Sequence, residues 1–179
     1  MEENKFESKE KILLNSLLVY FDNKKNKDTL ISIINETSSI SLRILDWFVT
    51  NYSKENNSKI MKSNFFEDFD VYNSYKSQLK AYNKKLFDPF CRKHSTKEKF
   101  NFYYDEGKCI LTTTGQLNFF KWAIENKIID YVVKNYDDIK QDLKSKQKKS
   151  SASISSYSNT SSTHSSTETK PVSYIICFN

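Results

Sequence analysis

Residues 71–90, VYNSYKSQLKAYNKKLFDPF, carry the clearest periodic signal in this 179-residue chain. Tyr72, Tyr75, Leu79, Tyr82 and Leu86 recur at alternating steps of three and four, which predicts an α-helix with an aromatic-rich inner face. Asp88-Pro89 predicts where it stops, because the residue before a proline is pushed out of the helical region. Lys76, Lys80 and Lys84 form a second stripe, roughly 130° from the first at about 100° per residue, and therefore face solvent.

On the C-terminal side, residues 90–99 read as a basic loop. Phe100 to Tyr104 and Cys109 to Thr113 then favour strand, with Asp105-Glu106-Gly107-Lys108 supplying the turn of a short hairpin. Thr113-Thr114-Gly115-Gln116 fits a capping box and predicts one long helix running to about Leu143. Its inner stripe is Leu117, Phe120, Ile124, Ile128 and Tyr131. Trp122, Ile129 and Val133 lie on nearly the opposite side, so this helix is either central or part of an interface.

On the N-terminal side, Ser8 is a plausible N-cap for a helix from Lys9 to Phe21, with Leu14, Leu17, Leu18 and Phe21 inward. The Asn and Lys cluster at 23–28 breaks that pattern, and a weaker helix follows from Thr29 to Asn35. From Ser41 to Tyr52 a third stripe holds Leu45, Phe48, Val49 and Tyr52. Ile44 and Trp47 fall off it, which predicts a helix covered on more than one side. Residues 53–64 read as loop. The fold class expected is α+β, mainly helical, as a single domain over residues 1–143 with a small antiparallel hairpin near 100–113.

Hydrophobic residues are 37% of the chain, below the roughly 45–50% of ordinary soluble domains, although aromatics reach 15%. The deficit sits in residues 145–170, where 15 of 26 positions are Ser or Thr. Residues 144–170 thus read as a Lys and then Ser/Thr-rich flexible linker, either passive or a phosphorylatable arm. Beyond it, residues 171–179 hold Val172, Tyr174, Ile175, Ile176 and Phe178, a run of strand composition. The simplest expectation is a third strand completing the hairpin; a disordered end and a partner-docking strand are the alternatives.

The net charge of +6 divides into +2 over residues 1–143 and +4 beyond. With 2 Arg among 28 basic residues, fork-type reading of guanine is disfavoured. Three cysteines make no paired framework and suit a reducing compartment as free thiols. The polar start MEENKFESKE and the absence of a long apolar run predict a soluble, intracellular protein with no membrane partner. Richness in Lys, Asn and Ile reads as the coding bias of an AT-rich genome.

The most suggestive chemistry lies between Lys76 and Lys99, a stretch with a local net charge of +6. Lys76, Lys80, Lys84, Lys85, Arg92 and Lys93 are the candidate contacts to a DNA or RNA backbone, with Phe87, Phe90 and Phe100 available for stacking. The bland counterpart is a solvated helix face over core aromatics. A basic helix followed by a hairpin also has the order of a winged helix, although the dozen residues between them are long for that unit.

Cys91, His94 and Cys109 suggest a metal site only if His164 or Cys177 joins them, so no metal is assigned. The Cys91 and His94 pair has no recognisable nucleophile signature, and Cys91 reads as a buried or half-buried thiol. With Gly107 and Gly115 as the only glycines, phosphate-cradling glycine loops are excluded. Carboxylate pairs such as Asp137 with Asp138 suit helix starts. No catalytic constellation and no cofactor site emerges, and the expectation is a non-enzymatic protein.

SLRILDWFVTNYSKENN (41–57), VYNSYKSQLKAYNKKLFDPFCR (71–92) and ILTTTGQLNFFKWAIENKIIDYV (110–132) resemble an uncharacterised protein family of giant, mimivirus-like DNA viruses. The resemblance covers most of 41–132 and extends to a short apolar ending like VSYIICFN after low-complexity sequence. It implies a viral source and expression in the infected cell, in host cytoplasm or viral factory, with packaging in the particle as a further expectation. It transfers no catalytic residue. Where the family tends to carry paired Arg, Arg92-Lys93 keeps the charge but loses part of the fork geometry.

Two functions follow. One is sequence-nonspecific nucleic-acid binding through the Lys-lined helix and basic loop. The other is a virion or viral-factory component that associates with viral proteins or itself through Trp122, Ile129 and Val133.

Overall fold

The computed structural model describes residues 2–56, 58–61, 68–91 and 99–155. The chain divides into Met1–Ser145 and Lys146–Asn179; of the second part, only the end of one helix, to Ser155, is described. Residues 144–155, expected as the start of a flexible linker, are instead helical. Residues 156–170 of that linker and the apolar run at 171–179 expected to complete the hairpin, and with them His164 and Cys177, lie outside the described residues.

The first helix, α1 (Glu2–Asp22), begins earlier than Ser8. Leu17 and Phe21 point into the core as expected, whereas Leu18 is half-exposed and Ile12 and Val19 face solvent. The Asn and Lys cluster does not break the chain for long. Asn23 caps α2 (Lys24–Ile34) by accepting from the Asn26 amide, so only one residue interrupts the helices. Ser41 caps α3 (Leu42–Trp47) in the same way. This helix widens into a π-helical turn, Phe48–Tyr52, and finishes as the short α4 (Ser53–Glu55). Ile44 is buried and Trp47 partly so, in keeping with a helix covered on several sides.

Residues 53–64 are not simply loop. β1 (Lys59–Met61) pairs antiparallel with β2 (Asp68–Asp70), with Ile60 opposite Phe69. Asp70 ends β2 and caps α5 (Val71–Leu86), its carboxylate accepting from the Asn73 amide at 2.9 Å. The hairpin follows as β3 (Lys99–Asp105) and β4 (Lys108–Thr113), registered Asn101 to Leu111 and Tyr103 to Cys109, with a bulge at Tyr104. Gly107 takes φ of 70° in the turn, a region costly to residues with a Cβ. Phe102, Ile110 and Thr112 face the core, while Tyr103 and Leu111 face solvent.

The single helix expected from Thr113 to Leu143 is three: α6 (Thr114–Glu125), α7 (Ile128–Lys134) and α8 (Tyr136–Ser155). Asn126 and Asn135 make the breaks. Each leaves helical geometry and turns its side-chain amide back onto a carbonyl four residues earlier, Trp122 and Tyr131, at 2.8 Å. Lys127 then adopts a left-handed φ of 59°. Asn35 and Asn56 end earlier helical segments, so asparagine recurs as a helix terminator in this chain.

These breaks place α6 at the centre. Leu117, Phe119, Phe120, Trp122 and Ala123 are all buried, packed between α1 on one side and α5 on another. The fold is therefore α+β and mainly helical, with two small antiparallel pairs of strands among the described residues.

Candidate nucleic-acid interface

Helix α5 contains four lysines and no Asp or Glu. Lys76, Lys80, Lys84 and Lys85 are all exposed. Lys84 and Lys85 occupy the last turn, where a cation is favoured by the helix dipole. Lys85 reaches Glu10 of α1 across 3.4 Å, an exposed pair worth at most about 1 kcal/mol. Lys76, Lys80 and Lys84 have no ion-pair partner among the described residues.

The opposite face of α5 is tied into the core. Tyr75 packs its ring against Phe87 and Trp122, with centroids 5.8 and 6.0 Å apart, and Tyr82 stacks on Phe87. The Trp122 indole N–H donates to the Ser74 hydroxyl at 3.1 Å. At the N-terminal end, the Lys54 ammonium sits over the Tyr72 ring at 5.8 Å.

The C-terminal end of α5 is clamped by the first turn of α6. Asn118 donates to the Leu86 carbonyl, and Gln116 donates through Nε2 to the Pro89 carbonyl at 2.8 Å. Gln116 Oε1 accepts from the buried Thr112 hydroxyl. Thr113 caps α6 as expected, accepting from the Gln116 amide, but the Gln116 side chain is committed elsewhere and does not close a reciprocal box. Gly115 lies so close that a Cβ there would stand 2.5 Å from the Lys85 carbonyl oxygen. In the sequence the capping motif accounts for Gln116 and so masks this clamp. The available signal was two polar residues, Gln116 and Asn118, flanking the inward Leu117.

The structure thus brings four of the six candidate backbone contacts onto one helix; Arg92 and Lys93 lie outside the described residues. Phe87 is only 1% exposed and cannot stack on a base, which corrects that expectation. Phe90 and Phe100 are half-buried. The candidate partner interface also needs correction. Trp122 (5% exposed) and Ile129 (8%) belong to the core, because the breaks at Asn126 and Asn135 wrap protein around both sides of α6 and α7; Val133 alone stays open, at 46%.

Among the described residues no three of His, Cys, Asp and Glu gather as a metal site. Cys91 is half-buried and Cys109 exposed, both as free thiols, and His94 is outside the described residues. An open pocket of about 550 Å³ between α2 and the hairpin is lined by Lys24, Lys27, Asp28 and Asp105, whose charges offset one another. Asp105 is held below the usual carboxylate range first by its hydrogen bond from Lys108 and then by the Glu106 amide.

A mainly helical α+β domain with an exposed lysine row is the class this geometry defines, and the chain belongs to a family of unknown function, DUF7197, whose model matches residues 1–177. Over 124 residues, 68% of this chain and 48% of the relative, it is 47% identical to an uncharacterized protein of Acanthamoeba polyphaga mimivirus. The resemblance to an uncharacterised giant-virus family is thereby shown. The chain spans about half the length of this curated relative. No solved structure matches. No helix among the described residues is long and apolar enough to cross a membrane.

Proposed function

We propose that this viral protein is a non-enzymatic module that binds nucleic acid without sequence preference, through Lys76, Lys80, Lys84 and Lys85 of α5. The observation that carries this reading is a 16-residue helix with four exposed lysines and no acid, fixed along its inner face and at its C-terminal end. A fixed helix presents its charges without paying for backbone ordering on contact. Ammonium groups bind phosphate as point charges and carry no base preference. Arg92 and Lys93 follow closely in sequence and would extend the same basic stretch.

The test is a fluorescence anisotropy titration of labelled oligonucleotides with the full chain at low and moderate salt, beside K76E/K80E/K84E. Binding that falls steeply with salt and vanishes in the variant supports the reading. Equal, weak binding by both proteins overturns it, provided circular dichroism shows the variant folded.

A further inference from the structure

Resting on that reading, we infer that the form of nucleic acid bound by α5 is a duplex, held by its phosphate backbone, and not an unpaired strand. Proteins that grip single strands without sequence preference join a basic groove to aromatic side chains on which bases stack. Among the described residues, the outer face of α5 has the first component and lacks the second. Between its lysines lie Ser77 and Ala81, both exposed and both small.

Every ring the helix carries is engaged elsewhere. Tyr75 is buried, Tyr72 lies beneath Lys54, and Tyr82 is stacked on the buried Phe87. The neighbouring basic residues 92–98, RKHSTKE, contain no Phe, Tyr or Trp. A face of this kind gains affinity only from charge density. A duplex presents about one phosphate per 1.7 Å of its axis, more than an unpaired strand offers.

The spacing agrees with backbone contact. Four-residue steps set Lys76, Lys80 and Lys84 about 6 Å apart, a row of about 12 Å on a straight helix. The small side chains between them let the helix approach a surface closely. Lysine lacks the planar fork that reads guanine in the major groove, so the row tracks phosphates and leaves the bases unread.

The experiment compares one DNA duplex, a second duplex of scrambled sequence, and single strands of oligo-dT and oligo-dA of equal nucleotide count. The proteins are the wild-type full chain, K76E/K80E/K84E and the milder K76Q/K80Q/K84Q. The expected result is severalfold tighter binding to both duplexes than to either strand, with no preference between duplexes. Neutralising three phosphates gives a slope of log affinity against log salt of about −2.7 on a duplex. In the Gln variant this share of the salt dependence is lost with the fold intact, leaving only what Lys85 and the other basic residues contribute. Binding to a single strand as tight as to duplex overturns the inference and leaves nucleic-acid binding standing. Binding to none of the four oligonucleotides overturns both.

Discussion

The side-chain amide of Asn118 donates to the carbonyl of Leu86 at 2.9 Å, joining the first turn of α6 to the last turn of α5. That carbonyl belongs to the final turn of a helix, where intrahelical donors have run out. Replacing Asn118 by Leu keeps the branching of the side chain and removes the donor. We expect a loss of about 0.5–1.5 kcal/mol, the net worth of one part-buried hydrogen bond. Urea denaturation should show a lower midpoint with an unchanged slope; an unchanged midpoint would mean water replaces the amide at no cost.

Gly115 reverses a familiar rule. Glycine to alanine within a helix ordinarily stabilises by roughly 0.5–1 kcal/mol. Here the new methyl group would meet the Lys85 carbonyl oxygen, which is backbone and cannot swing aside. Gly115→Ala should therefore lower the melting temperature, and a rise would show that α6 sits further from α5 than described.

Trp122 and Val133 were paired in sequence and are separated by the structure. Trp122→Ala should cost about 3–5 kcal/mol, because it opens a cavity among Tyr75, Phe87 and Phe119. Val133→Ser, at an exposed site, should change stability by less than about 0.5 kcal/mol. Chemical denaturation of the two variants checks the contrast, and similar losses would contradict it.

Tyr20 sets a limit at high pH. Its hydroxyl is pushed up to about 12 from the ordinary tyrosine value of 10.0, first by burial and then by the charge of Glu125. A raised folded-state value means that the folded protein holds its proton where the unfolded chain has released it. This stabilisation is present below pH 10 and is lost as pH rises toward 12. Tyr20→Phe should therefore flatten the fall in stability across that interval, measured by urea unfolding at stepped pH. An identical pH profile for variant and wild type would refute the assignment.

Much of the fold was legible where periodicity was strong. Val71–Leu86 emerges as a helix because five apolar positions and a proline agree, and the hairpin because turn residues separate two strand-like runs. The breaks after α6 and α7 were hidden, since Asn126 and Asn135 interrupt no hydrophobic stripe; their effect comes from a side-chain hydrogen bond to the backbone. The strands at 59–61 and 68–70 are three residues each, too short to show alternation. At the site, the lysine row followed from helical geometry alone. The clamp on its far end did not, because the polar pair Gln116 and Asn118 reads equally as cap and helix surface while its partners lie 27 and 32 positions away.

The two tryptophans have a practical consequence. Trp122 donates its indole N–H to Ser74, while Trp47 donates to Asp142 of α8 at 2.9 Å. Each chromophore is thus bonded across a different seam, one between α6 and α5, the other between α3 and α8. Replacing either with Phe leaves a single emitter whose wavelength reports when its own seam is wetted. Coincident transitions would show that the lysine-bearing helix detaches only when the whole domain melts. Staggered transitions would locate the order in which the molecule comes apart.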